Sequence, residues 1–231
     1  MPYSRPVHPQ SEYADLLERH VHPGINWLDI GCGRQVLPDW AWKPGQQQRV
    51  LNEVKLSGLD VDGAIYEHPH LSTRLIGVAE NIPAPADAYD MVTANMVMEH
   101  VKEPSAVLKE VWRVLRQNGQ FIIHTPNTRY YLTAIARLFP QKLKNRIIGR
   151  IEDRAEADIF PAYYRFNTPA VVKHLAAEAG FQVESIGTCG PYPAFWETPF
   201  APLERPVLWL YTLQGMARFK SNLILTLRKP L

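Results

Sequence analysis

Short apolar runs alternate with polar or helical segments through the first half of the chain, and this alternation limits the fold more than any other feature. Five runs have the length and composition of buried strands: residues 26–30, 55–60, 74–78, 89–94 and 120–125. Between the last two runs, residues 103–116 have the spacing of an amphipathic helix, which Asn118 and Gly119 are expected to cap. Strands that alternate with helices favour a parallel sheet with crossover helices, and therefore an α/β fold.

Two further strands are predicted in the second half of the chain, at residues 181–186 and 221–228. A helix is expected between Thr168, whose hydroxyl group suits an N-cap, and Gly180, since glycine commonly ends a helix. With the five earlier runs, these strands predict a seven-stranded, mostly parallel sheet with helices on both faces. The last strand should run antiparallel beside the sixth.

An insertion at residues 128–165 interrupts the alternation and is expected to form a helical lid over the substrate. Its first part is basic and has helical spacing. Near its end, Tyr163, Tyr164 and Arg165 either close over the substrate or pack as a linker, and the sequence leaves both readings open. We predict that the whole chain, residues 1–231, is a single domain that carries this lid.

Composition limits the partners and the compartment. A formal net charge of +2 gives no broad basic surface, so we expect a small-molecule substrate and no nucleic acid. No apolar run approaches the ~20 residues that span a bilayer, and no signal peptide is visible. With Cys32 and Cys189 as free thiols, a cytoplasmic location is expected. Peripheral contact of the basic insertion with a membrane surface and the oligomeric state stay open.

The segment LDIGCG, residues 28–33, is the first candidate for ligand binding. Gly31 and Gly33 would allow the backbone to approach a bound cofactor closely, because glycine has no Cβ. Asp60 ends the next strand, where an acid commonly accepts hydrogen bonds from the hydroxyl groups of a ribose. Taken singly, the glycines are equally consistent with a tight turn, and Asp60 with a capping carboxylate.

A dinucleotide is a poorer candidate for this site. Its phosphate fingerprint needs a third small residue where the chain has Val36, and Pro38 would interrupt the helix that follows. Asp60 also lies further from the glycines than that fingerprint requires. The pattern favours a nucleoside ligand without phosphate, and it disfavours the alternative of a nicotinamide-dependent oxidoreductase.

Four segments, WLDIGCG, LSGLDVD, GVAENIPAPADAYDMVTANMVMEHV and RQNGQFIIHTPN, occur in this order. Their order and spacing resemble the cofactor motifs of class I S-adenosylmethionine-dependent methyltransferases of the type 11 and type 23 kind. The resemblance covers residues 27–127 and extends more loosely to YRFNTPAVVKHLAAEAGF. It implies a Rossmann-like doubly wound sheet, S-adenosylmethionine as the cofactor with S-adenosylhomocysteine as the product, and methyl transfer to a small lipid-like, aromatic or glycan acceptor.

The resemblance also implies which residues bind the cofactor, all at or near the ends of predicted strands. They are Asp29, Gly31, Gly33, Asp60, Val61, Ala79, Glu80, Asn95 and Met96. In the family, the glycine loop lies along the methionine and ribose, and the acid that matches Asp60 binds the ribose hydroxyl groups. The pair after the third strand borders the adenine, and the pair after the fourth lies near the sulfonium.

Two positions depart from the family pattern. Gln35 replaces the usual third glycine, and Val78 replaces an aspartate that commonly faces the adenine amino group. Glu80 or the backbone would then have to serve the adenine. These departures keep a second function class open, a non-catalytic domain that retains the fold as a binding module.

Histidines near the strand ends are the candidate general bases. His100 follows the fourth strand, near where the reacting methyl group should lie, and His124 ends the fifth strand, at the functional edge of such sheets. A hydrogen-bonded structural role is the alternative for each. Glu99 is interpreted as a helix-surface or capping acid. No metal site is predicted, because His68 and His70 have no acids or cysteines at ligand spacing.

Overall fold

The computed structural model describes residues 7–136, 160–190, 201–211, 213 and 215–231. All strands of these residues belong to one seven-stranded sheet. The strands are β1 (Asn26–Ile30), β2 (Lys55–Asp60), β3 (Thr73–Ile76), β4 (Tyr89–Asn95), β5 (Leu115–Pro126), β6 (Gln182–Cys189) and β7 (Asn222–Arg228). Their spatial order is β3-β2-β1-β4-β5-β7-β6.

Strands β1 to β5 run parallel, and β7 runs antiparallel to both of its neighbours, β5 and β6. This arrangement confirms the predicted seven-stranded, mostly parallel sheet with an antiparallel last strand. The strand order reverses between β1 and β4, as in doubly wound Rossmann-like folds. Ligands of such sheets bind beyond the carboxyl ends of the strands at this reversal.

The helices of the described residues are α1 (Pro9–His20), α2 (Gln46–Leu51), α3 (Pro104–Val114), α4 (Tyr131–Ala136), α5 (Pro169–Glu178) and α6 (Ala201–Leu210). As predicted, Thr168 caps α5, with its hydroxyl oxygen accepting from the Val171 N–H. The first helix begins at Pro9. Its N-cap is His8, whose Nδ1 accepts from the Gln10 N–H, and Ser11 lies inside the helix. No helix among the described residues is long and apolar enough to cross a membrane.

The sheet separates two hydrophobic clusters, and β1 supplies both. Leu28 and Ile30 pack with α3 and α5 on one face of the sheet. Trp27 packs with Tyr13 of α1 on the other face. Because side chains alternate along a strand, Asp29 points to the same face as Trp27. We call this face the α1 face.

The prediction that Asn118 and Gly119 cap α3 is wrong. The helix ends at Val114, and the chain enters β5 at once from Leu115. Asn118, with φ of 62°, lies in an irregular stretch where the pairing of β5 with β4 shifts register. Asn118 and Gly119 therefore form a local turn of the backbone inside a strand. The Asn118 N–H donates to the Lys229 carbonyl, in the segment after β7.

Only the two ends of the predicted lid, residues 128–165, belong to the described part of the chain. Helix α4 agrees with the helical spacing of its first part. Residues 137–159 lie outside the described residues. The end of the insertion, from residue 160 onward, returns to the carboxyl edge of the sheet, where the Tyr163 and Tyr164 N–H groups both donate to the Glu99 carbonyl.

Gly58 in β2 allows the glycine loop to pack closely on the sheet. A Cβ at this position would lie 2.5 Å from Cys32 Sγ and 2.6 Å from Leu71 Cδ1. Gly58→Ala should therefore lower the free energy of unfolding by about 2 kcal/mol, through overpacking. Gly63→Ala is the matched control, since nothing lies within 4 Å of a Cβ there. Urea unfolding followed by circular dichroism measures both, and equal stabilities would contradict this packing.

Candidate functional site

The carboxyl ends of four neighbouring strands form the candidate site. β1 and β4 lie side by side with Asp29 opposite Thr93, and β2 lies on the other side of β1. The glycine loop follows β1, Asp60 ends β2, and Asn95 ends β4. The structure thus brings the sequence-predicted cofactor residues to one edge of the sheet, at the reversal of strand order.

The two glycines of the loop have different roles. Gly31 has φ of 67°, and a Cβ there would lie 2.4 Å from Val97 Cγ2, so close packing requires glycine. Gly33 also has a positive φ, 49°, but nothing lies within 4 Å of the position of its Cβ. The first glycine therefore lets the loop pack against the segment after β4. The second leaves open space at the edge.

Asp60 ties the loop to β2. Its Oδ2 accepts from the Gly33 N–H at 2.8 Å, and its Oδ1 accepts from the Asp62 N–H at 3.0 Å. A carboxylate offers about four lone-pair directions, so further donors can still bind. Val61, beside it, is 53% exposed and presents an apolar side chain at the same edge.

The segment after β3 completes this side of the site. Gly77 donates to the Asp60 carbonyl, which places the following residues beside the end of β2. Ala79 is buried and Glu80 is half-buried. Val78, which replaces the acid of the family pattern, is 47% exposed. The third strand ends at Ile76, two residues earlier than predicted.

Asn95 and Met96 are fixed by hydrogen bonds that involve His124 of β5 and Asn222 of β7. Met96 has φ of 57°, an uncommon conformation for a residue with a side chain, and its N–H donates to the His124 carbonyl. Asn95 Oδ1 lies 2.8 Å from His124 Nδ1, and Asn222 Nδ2 lies 3.0 Å from His124 Nε2. Backbone strain of this kind often persists at functional sites, where surrounding contacts hold it.

The geometry argues against His124 as a general base. Its ring is 1% exposed and stacks on Tyr13. Asn222 Nδ2 can only donate, so Nε2 accepts and Nδ1 carries the proton toward Asn95 Oδ1. Burial also lowers the pKa of His124 to about 3. The ring is therefore neutral and has no free lone pair for a substrate proton.

Asp29 is a buried carboxyl group below the loop, on the α1 face. It is 2% exposed, and its Oδ1 accepts from the Thr93 hydroxyl at 2.6 Å. Thr93 Oγ1 in turn lies 2.7 Å from Trp27 Nε1. Desolvation raises the pKa of Asp29 to about 7, the Thr93 hydrogen bond opposes this rise, and the charge of Asp60 adds to it.

The interpretation of Glu99 as a helix-surface or capping acid is wrong. Glu99 is 3% exposed, and its Oε2 accepts from the Thr125 hydroxyl at 3.1 Å. Asn167 Nδ2 donates to the same Thr125 oxygen at 2.7 Å. Burial raises the pKa of Glu99 to about 7. A short helical turn at the strand end looks exposed in sequence, and the covering segment from residue 160 is what buries this acid.

His100 lies beside Glu99 and is partly open to solvent. Its side chain is 35% exposed, and its Nε2 lies 3.9 Å from Glu99 Oε1. Its Nδ1 lies 3.1 Å from the Pro161 carbonyl oxygen, which can only accept, so Nδ1 carries the proton. The remaining lone pair on Nε2 then faces the Glu99 carboxyl group. A proton accepted at Nε2 would lie between the His100 ring and the Glu99 carboxyl group.

The other polar candidates have hydrogen-bond partners within the chain. Tyr163 and Tyr164 are anchored through their backbone to the Glu99 carbonyl, and Arg165 binds the Lys102 carbonyl. His68 is buried, its Nδ1 accepts from the His70 N–H, and burial lowers its pKa to about 4. Within the described part of the chain, no group of three or more potential metal ligands occurs.

Comparison with known proteins gives the family. Residues 6–186 match the model of a methyltransferase domain family. A ubiquinone biosynthesis O-methyltransferase of Psychrobacter arcticus is 27% identical over 169 residues, which cover 71% of this chain and 61% of that protein. A demethylmenaquinone methyltransferase of Symbiobacterium thermophilum is 29% identical over 119 residues, which cover 46% of this chain and 45% of that protein.

A solved structure described as an S-adenosylmethionine-dependent methyltransferase from Listeria monocytogenes has the same fold. Its TM-score is 0.59 at 17% identity, with 97% of this chain and 99% of that chain covered. The chain spans about three fifths of the length of the Psychrobacter relative and less than half of the Symbiobacterium relative. The chain belongs to the class I S-adenosylmethionine-dependent methyltransferases, in the methyltransferase domain family that its residues 6–186 match. The cofactor of this family is S-adenosylmethionine.

The burial of Glu99 should be visible in stability against pH. Its pKa is raised from 4.5 to about 7 in the folded protein, so the unfolded chain ionises first and the stability from neutral Glu99 is lost as pH rises between these values. Glu99→Gln should therefore gain stability relative to the native chain, on the order of 3 kcal/mol, across this range.

Urea unfolding at a series of pH values measures this difference. Glu178→Gln, an exposed acid at the end of α5, is the matched control, and its difference should stay within about 0.5 kcal/mol. A stability difference for Glu99→Gln that does not change with pH would mean that Glu99 is already ionised in the folded protein.

Proposed function

We propose that this protein transfers a methyl group from S-adenosylmethionine to a hydroxyl group of a small molecule, at the carboxyl ends of β1 to β4. The observation that carries the proposal is the open space at Gly33, directly beside the Asp60 carboxylate. An exposed apolar side chain, Val61, borders the same space. Backbone without a Cβ, an acid and an apolar surface suit an adenosine without phosphate.

The proposed cofactor-binding set is the one that the sequence suggests. It comprises Asp29, Gly31, Gly33, Asp60, Val61, Ala79, Glu80, Asn95 and Met96. Asp60 would accept from the ribose hydroxyl groups, and the exposed Val61 would contact the adenine. With Val78 in place of an acid, Glu80 is the nearest carboxylate in sequence for the adenine amino group.

S-adenosylmethionine supplies a methyl group on a positively charged sulfur, which is already a strong electrophile. The protein would then contribute position and the exclusion of water. The strained backbone at Met96, fixed by the His124 carbonyl, suits a residue held next to the reacting centre. No covalent catalysis by a side chain is needed.

The acceptor side of the proposal rests on Glu99 and His100. A hydroxyl group must lose its proton as it is methylated, and a base with a pKa near the working pH is the most effective acceptor. His100 Nε2 has a free lone pair and faces Glu99, whose buried carboxyl group has a pKa of about 7. Of the relatives described above, one is named a ubiquinone biosynthesis O-methyltransferase and another a demethylmenaquinone methyltransferase.

The proposed single domain carries its lid at residues 128–165. Both described ends of this insertion are fixed at the proposed site. Thr128 donates to the Asn167 carbonyl through its N–H and its hydroxyl group, and Asn167 donates to Thr125. Phe160 and His100 are in ring contact at the other end. An insertion anchored beside the proposed base suits a role in covering a small acceptor.

Calorimetric titration with S-adenosylhomocysteine tests the cofactor assignment. The native chain should bind it, and should not bind NAD. Asp60→Asn should weaken the affinity at least tenfold, by about 1.5 kcal/mol, because a charged acceptor of the ribose is lost. Asp87→Asn, an exposed acid away from the site, is the matched control. Unchanged affinity of a folded Asp60→Asn protein would remove Asp60 from the site, and no binding by the native chain would overturn the proposed function.

Methylation of catechol, chosen as a small probe with two phenolic hydroxyl groups, tests the acceptor assignment. His100→Ala should reduce the rate of product formation about a hundredfold, as expected for loss of a general base. His174→Ala removes a histidine whose side chain is 71% exposed on α5, and should have no effect. Equal rates for His100→Ala and the native chain would exclude His100 as the base.

A further inference from the structure

Three side chains of β1 and β4 form a continuous hydrogen-bonded chain on the α1 face. Trp27 Nε1 lies 2.7 Å from Thr93 Oγ1, and Thr93 Oγ1 lies 2.6 Å from Asp29 Oδ1. Trp27 and Thr93 are both 0% exposed, and Asp29 is 2% exposed. The cost of burying such polar groups is offset only when they are hydrogen-bonded, so their arrangement is specific.

The direction of each hydrogen bond is fixed by chemistry. The indole N–H of Trp27 can only donate, so Thr93 Oγ1 accepts from it. The one hydroxyl proton of Thr93 then points to Asp29 Oδ1. Asp29 Oδ2 receives no hydrogen bond from any residue that the structure describes. The chain therefore holds one oxygen of the carboxyl group and leaves the other available.

We propose that Thr93 is a positioning residue for the cofactor: its hydroxyl group favours the ionised form of Asp29 and orients that carboxylate to accept the α-ammonium group of the ligand, so that cofactor affinity depends on the ionisation of Asp29. This inference rests on the proposed function, because it assumes that S-adenosylmethionine or its product binds at this edge. It adds Thr93, which is not among the cofactor-binding residues that the resemblance implies, and a pH dependence of binding.

The charged surroundings of Asp29 favour a cationic ligand group. The titratable groups that face it are Asp60 at the end of β2, Tyr13 of α1 and Cys32 of the loop. None of these three is a cation, and no lysine or arginine among the described residues pairs with Asp29. An ammonium group from the ligand would supply the missing positive charge.

The affinity for a ligand with an ammonium group should rise with pH, because Asp29 of the free protein must ionise before it can bind that group. The pKa of Asp29 is raised to about 7 by burial, so below that pH the carboxyl group is mostly protonated. Binding an ammonium group requires the carboxylate, so binding must release a proton there. Affinity should therefore rise about tenfold per pH unit up to about pH 7 and level off above it.

Two ligands separate this effect from general damage to the site. S-adenosylhomocysteine carries the α-ammonium group, and 5′-methylthioadenosine has the same nucleoside but lacks the amino acid. Calorimetric titration of the native chain between about pH 6 and pH 8.5 should show the pH dependence for the first ligand only. At about pH 6.5, titrations in phosphate and Tris buffers should reveal proton release with the first ligand and none with the second.

Substitutions at Thr93 then test the positioning role. Thr93→Val removes the donor with little change of shape, so the pH midpoint for S-adenosylhomocysteine should rise by about one unit and the affinity at pH 7 should fall about fivefold. Thr93→Ser retains the hydroxyl group and should restore the native midpoint. Thr226→Val, which removes a buried hydroxyl group from β7 with no hydrogen-bond partner in the described chain, is the matched control and should leave the profile unchanged.

The outcomes separate this inference from the proposed function. If neither ligand binds at any pH, the proposed function fails. If both ligands bind and their pH profiles are the same in the native chain, the role of Asp29 is overturned, even if Thr93→Val does not fold. If the profiles differ but Thr93→Val retains the native midpoint, the positioning role of Thr93 is overturned.

Discussion

The pairing of β1 with β4 is the contact on which the rest of the site depends. It places Asp29 opposite Thr93 and extends to Ile30 opposite Ala94, where β1 ends and β4 continues for one more residue. Beyond that point Gly31 lies so close to Val97 that no side chain would fit between them. The connections that follow β1 and β4 cover opposite faces of the sheet. The space beyond the carboxyl ends of these two strands is therefore left open for a ligand.

Two buried acids give this edge its electrostatic character. Asp29 lies on the α1 face. Glu99 lies near Thr125, which strand alternation places with Phe121 and Ile123 on the opposite face. Each accepts one hydrogen bond from a threonine hydroxyl group, and burial raises the pKa of each to about 7. In the proposed reaction one acid would face the cationic cofactor and the other the acceptor proton. Pairs of groups tuned in this way are typical of functional sites.

His124 and His100 illustrate how burial separates similar residues. Both stand at strand ends in the sequence, and both were candidate bases. His124 is enclosed by Tyr13, Asn95 and Asn222, so it serves to fix the segment that carries Met96. His100 remains partly exposed with an unbound ring nitrogen toward Glu99. The difference arises from the strand partners, which no local pattern reveals.

Much of the fold and part of the site could be predicted from local sequence. The strand runs, the N-cap at Thr168 and the positions of Gly31 and Asp60 follow from side-chain spacing and backbone chemistry, and the structure agrees with them. The end of α3 was predicted wrongly because Asn118 and Gly119 suit any left-handed turn, and only pairing with β4 and the last segment selects a strand irregularity.

What the sequence by itself determined is the order of strands and helices and the residues at the strand ends, because these depend on periodicities within a few residues. Only the tertiary structure decided that Thr93 donates to Asp29 and that the segment after residue 160 buries Glu99. Those contacts join residues at least 64 positions apart in the chain. The physical reason is that desolvation and hydrogen bonding, which set the charge of a buried acid, depend on neighbours in space.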